Sequence, residues 1–117
     1  MPRRAQDVSI ETVHEPERSR VIAEGEMDLA CVVALNRAMS DATARDVPID
    51  LDLSGVTFVD SRFAAAVGGW ERDLGPGRLR LEPPQDARLR RLLALRAQRP
   101  PRFRARPAGE YRRRRGT

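Results

Sequence analysis

Few side chains in this 117-residue chain are equipped for covalent or acid–base chemistry. It has one histidine, His14, and one cysteine, Cys31. Those counts exclude an internal disulfide framework and a cysteine-based zinc site, and they exclude a histidine-rich metal site. A Ser/His/Asp triad would need His14, which falls in a polar turn with nothing to place Ser61 beside it. Asp50 and Asp52 alternate along an apolar stretch, and two carboxylates on one strand face can do metal or acid–base work. The same spacing also describes the polar positions of a strand's less buried face. Cys31 lies on the apolar side of a helical pattern and reads as a packed core thiol. The sequence holds no glycine-rich phosphate loop and no Gly-x-Ser-x-Gly elbow. An enzyme is therefore the class with least support, and the residues imply no cofactor and no metal.

One position remains. Asp60-Ser61 follows a strand and opens a helix, which places Ser61 in the first helical turn. Free backbone N–H groups and the positive end of the helix favour a phosphate there. Phosphorylation would add close to two negative charges at a surface corner. The plain alternative is that Asp60 and Ser61 are caps, worth about 1 kcal/mol.

The elements that must position these residues alternate between strand and helix. Val8, Ile10 and Thr12 alternate with Ser9, Glu11 and Val13, a weak period-2 pattern for a first strand. His14 to Arg18 reads as a turn, because Pro16 cannot donate to a ladder. A second strand over 19–24 pairs back on the first. Gly25-Glu26-Met27-Asp28 reads as the next break, with Asp28 as the cap of a helix over 29–44. Cys31, Leu35, Ala38 and Ala42 share one face of that helix, and Arg37, Asp41 and Arg45 form the wet stripe. Ile49, Leu51 and Leu53 mark a third strand, ended by a turn at Ser54-Gly55. A helix from Asp60-Ser61 to about Arg72 carries Phe63, Val67 and Trp70 on one side. Leu79 and Leu81 make a short strand, Pro83-Pro84 end it, and Asp86 caps a third helix with Leu89, Leu92 and Leu93 on one face. The order β-β-α-β-α-β-α predicts an α/β fold, a small sheet of about four strands, mostly parallel, flanked by helices. The third helix is expected to bury its leucines on that sheet.

Charge divides the chain. Residues 1–95 hold 13 arginines and 16 acids, a balance of −3, while residues 96–117 hold 9 arginines and one acid, a balance of +8. The two segments together give the chain its net +5. We read 1–95 as the folded domain and 96–117 as a basic Arg/Pro-rich tail that cannot bury a core and is expected to be disordered. No apolar stretch approaches the roughly 20 residues needed to span a bilayer, and Met-Pro-Arg-Arg is followed by no apolar signal region. The expected location is the cytoplasm.

The stretch Leu51-Asp52-Leu53-Ser54, then Val56, Phe58, Asp60 and Ser61, resembles the signature of STAS domains of the anti-sigma factor antagonist family. Gly25-Glu26-Met27-Asp28 resembles that family's Gly-Glu-Leu-Asp turn, followed as expected by a helix. The likeness runs over about residues 7–95. It implies a small sheet of four or five strands flanked by helices. It implies that Ser61 is the phosphoacceptor of a partner anti-sigma factor, a serine kinase of the histidine-kinase-like ATPase type. In its unphosphorylated form a bacterial antagonist binds that partner and frees the sigma factor. Gly25, Glu26, Asp28, Ser54, Asp60, Arg62 and Phe63 would then belong to the partner-binding surface. Three features depart from the pattern: Arg62 and Phe63 stand where small residues and a glycine are usual, Asp50 stands where a central strand usually has an aliphatic residue, and the arginine tail replaces a last apolar segment.

Two other readings compete with the antagonist switch. One is a STAS scaffold or transporter accessory subunit without phosphorylation, since a fold does not fix a function. The other is nonspecific contact with nucleic acid or anionic membrane, confined to the tail and strongly salt-dependent.

Overall fold

Pro16 interrupts the first extended stretch, and the arms on either side of it pair antiparallel as a hairpin, β1 (Ser9–His14) with β2 (Ser19–Met27). The computed structural model describes residues 8–98. After the hairpin come α1 (Ala30–Thr43), β3 (Ile49–Val59), α2 (Ser61–Leu74), β4 (Leu79–Glu82) and α3 (Ala87–Gln98). The sheet order is β1-β2-β3-β4, with β2–β3 and β3–β4 parallel. The α/β class, the element order and the mostly parallel four-stranded sheet agree with the sequence reading.

Parallel crossovers are almost always right-handed, so two crossovers stepping the same way across a sheet put their helices on one face. The burial follows from this. Val21, Ala23, Met27, Ile49, Leu51 and Leu53 are fully buried, whereas Arg20, Ile22, Asp50 and Asp52 between them are only half-buried on the helix-free face. Leu35, Met39 and Ala42 of α1 and Phe63, Ala64 and Val67 of α2 complete the apolar core. Trp70 lies beside it, its indole N–H donating to Asn36 Oδ1 at 2.8 Å and so tying α2 to α1.

Four sequence expectations are corrected here. Strand β2 does not stop at Glu24 but continues through Gly25, whose φ of 96° lets the chain pass a bulge without breaking. There is no turn at Ser54-Gly55. Instead β3 runs unbroken for 11 residues beside the 9 of β2, because the register slips by one residue on β3 on each of two occasions, between Asp52 and Gly55 and between Val56 and Phe58. Asp28 does not cap α1: Leu29 holds the cap position, with no side-chain cap bond. Finally, α3 packs chiefly on α2 rather than on the sheet. Its start is as expected, with Asp86 Oδ1 accepting the Arg88 N–H at 2.7 Å. That bond holds the Asp86 carboxyl below its ordinary value. The helix continues to Gln98, three residues past the expected domain boundary at 95. The rest of the tail lies outside the described residues.

Candidate functional site

The carboxyl ends of β2 and β3 lie side by side, with Met27 opposite Val59, and the links into α1 and α2 leave from there. The Asp60 N–H donates to Met27 O at 2.8 Å and locks the two links together. Asp60 is extended (φ −72°, ψ 151°), and its carboxylate accepts the Arg62 N–H at 2.6 Å. Its carbonyl accepts the Ala64 N–H at 3.0 Å. Asp60 is thus the N-cap of α2, as its type allows. Ser61 is the first helical residue and is exposed, as is Arg62. Glu26, next to last in β2, and Asp28, on the neighbouring link, are both exposed. Together these residues form a rim of three carboxylates, one guanidinium and one hydroxyl.

Large apolar side chains are exposed on the same end of the fold. Leu29 is 50% exposed, Val33 62% and Phe58 49%. Leu29 and Val33 stand one helical turn apart at the start of α1, whereas Phe58 pairs with Glu26 near the end of β3, on the helix-free side of the sheet. Sequence reasoning missed this apolar group. The available signal was Val33, an apolar residue off the buried stripe marked by Cys31, Leu35 and Ala42.

Other expected site residues are placed elsewhere. Phe63 is fully buried in the core, so its side chain does not reach the surface. Gly25 is also buried and shapes the link rather than touching what lies outside. Ser54 stands midway along β3, away from Ser61, where both its N–H (2.9 Å) and its hydroxyl (2.7 Å) donate to Asp52 Oδ1. His14 Nδ1 is 3.0 Å from Ser19 Oγ at the opposite end of the sheet, and Arg45 Nη1 donates to that same oxygen at 3.0 Å. The single histidine therefore serves a buried hydroxyl of the hairpin and not Ser61.

Asp50 and Asp52 do share a face, but arginines occupy them. Asp50 is bridged by Arg18 and, at 3.4 Å, by Arg80; Asp52 meets Arg20 at 3.6 Å. The Asp50 carboxylate raises the Arg18 pKa further. This also accounts for a carboxylate in a central strand, since the face it occupies carries no helix. No group of three or more His, Cys, Asp or Glu side chains among the described residues is arranged to hold a metal. The Cys31 thiol points at Asp28 Oδ1 (3.4 Å) and is pushed up in pKa, chiefly by burial, which leaves it a poor nucleophile.

A family profile described as "Mlab, STAS domain" matches residues 10–99, a span that takes in nearly every element above. The chain belongs to the STAS domain family. Among solved structures, this STAS domain is similar to an anti-sigma factor antagonist from Mycobacterium paratuberculosis, with 23% sequence identity and a TM-score of 0.65 over 77% of this chain and 78% of that one. At that identity the likeness bears on the fold. No curated protein matches. Among the described residues, no helix of the STAS domain is long and apolar enough to cross a membrane.

Proposed function

We propose that this STAS domain is a protein-binding switch, an anti-sigma factor antagonist whose partner contact is broken by phosphorylation of Ser61. The observation that carries the reading is the exposure of Ser61 on a rim where Leu29, Val33 and Phe58 are also exposed. Large exposed apolar side chains near polar ones suit a protein partner. A neutral hydroxyl can be covered by such a partner. A phosphate would bring nearly two charges that must be desolvated, next to Glu26, Asp28 and Asp60. Arg62 supplies one cation beside it, too few to balance the rim. Gly25 and Phe63 act from below by fixing the end of β2 and the helix, while Ser54 is bonded to Asp52 further back in β3.

The partner in this reading is an anti-sigma factor that is also a serine kinase of the histidine-kinase-like ATPase type, and the protein regulates transcription without catalysing a reaction. Affinity capture with wild type, Ser61→Ala and Ser61→Asp tests it, read by mass spectrometry. Capture of such an ATPase by wild type and Ser61→Ala, lost with Ser61→Asp, is the expected result. Identical partners for all three would overturn the switch and leave a constitutive scaffold or transporter subunit.

A further inference from the structure

The helix-free face of the sheet is a charged surface, and its balance is negative. Glu11 pairs with Ile22 and so lies on that face, as do Glu24, Asp50, Asp52 and Glu82 by alternation; Glu15 closes it at the hairpin turn. Against these six carboxylates stand three guanidinium groups, Arg18, Arg20 and Arg80. A shallow polar hollow of about 300 Å³ lies among the charges nearest the hairpin turn. The arginines on the face already bridge Asp50 and Asp52. Glu11, Glu15 and Glu82 lie around these bridges.

The chain itself carries the complementary charge. Residues 99–117 hold eight arginines and one acid, a balance of +7. They follow α3, which ends at Gln98. Nineteen residues reach roughly 60 Å when extended, beyond the 48 Å of the longest axis of the fold. A tether of that length also keeps the segment at high effective concentration near every face. We propose that the arginine segment 99–117 docks in cis on the helix-free acidic face of the sheet. Arginine suits this role, because each guanidinium can fork onto a carboxylate and stays charged at any physiological pH. In this arrangement the segment covers the open face and is withheld from polyanions until they outcompete the face.

Spin-label broadening in the full chain tests the proposal. The label is placed by Arg113→Cys in a Cys31→Ala background, and backbone amide signals are followed by NMR. Near 0.05 M salt, the amides of Glu11, Arg20, Asp52 and Arg80 are expected to lose signal, while those of the α1 and α3 surfaces keep it. Raising salt to about 0.5 M shortens the screening length severalfold and should restore the signals. Combined Glu11→Gln, Glu15→Gln and Glu82→Gln, all away from the core, should restore them at low salt. Broadening that is uniform, that falls on the helices, or that survives the triple substitution would overturn the proposal. Equal broadening in a mixture of isotope-labelled unmodified chain and unlabelled spin-bearing chain would assign the contact to a second copy, and it too would overturn docking in cis. None of these outcomes depends on Ser61.

Discussion

Replacing Phe63 with alanine separates the two roles open to that residue, core or contact. Its side chain is 0% exposed, packed where α2 crosses the sheet. Nothing of it is left in water, so its removal costs the full transfer term plus a cavity, about 3–5 kcal/mol for such a truncation. A described fold of this size is expected to have roughly 5–13 kcal/mol in all. The loss is then a large fraction of total stability, and Tm should fall by roughly 15–30 °C. Phe63→Leu refills most of the space and should cost about 1 kcal/mol. Arg62→Ala next door is an exposed change and should stay within about 0.5 kcal/mol. Urea unfolding followed by the fluorescence of Trp70, the only tryptophan and a nearly buried one, reports all three. Partner capture is measured on the same proteins at low temperature. Should Phe63→Ala unfold within 1 kcal/mol of wild type, yet lose its partner, the side chain would be a surface anchor and the packing argument would be wrong.

Asp60→Ala removes the acceptor of the Arg62 N–H and should cost about 1 kcal/mol, whereas Asp60→Asn should cost a few tenths; hydrogen exchange at the first-turn amides of α2 should speed up in the alanine variant only. Burial holds the Glu71 carboxyl above its ordinary value. The folded state thus binds that proton more tightly than the unfolded chain. Its contribution is complete below the unfolded pKa and is lost as pH rises through the folded one. Glu71→Gln should therefore raise Tm at pH 7, with the gain closing near about pH 4; an equal gain at both values would contradict a burial cause.

The β-branched and leucine alternation in β2 and β3, the turn at Pro16 and the caps at Asp60 and Asp86 are local signals, and each could be read from the chain. What could not be read depends on neighbours. Gly25 and Ser54-Gly55 carry turn chemistry, yet both lie inside strands, because paired bulges use the same residue types as turns. The leucines of α3 announce a buried face without saying what buries it, and α2 rather than the sheet does so. Phe63 sits beside Ser61 in sequence, but helix geometry sends one inward and the other outward. Asp50 and Asp52 looked like a possible reactive pair only while the arginines of β2 and β4 were absent from view. The exposure of Leu29, Val33 and Phe58 at one end of the fold comes from α1 and β3 separately, and it shows only once the sheet sets the carboxyl ends of β2 and β3 side by side.

The two surplus residues of β3 have a consequence for parity. Core positions on β2 fall at every second residue, while on β3 they fall at Leu51, Leu53, Val56 and Val59, so each slip adds one residue between successive inward side chains. A change of one residue in length placed anywhere else in this strand would turn its far half inside out, exposing Val56 and Val59 and burying Thr57. Deleting the extra residue of a slip would leave the alternation intact and merely straighten the strand. The Asp60-Ser61 corner is thus reached along a track longer than the one beside it, and shortening that track would draw the corner back toward the sheet. Length variation among relatives of this chain should therefore gather at 53–58 and be rare over 49–52, where β4 clamps the other edge.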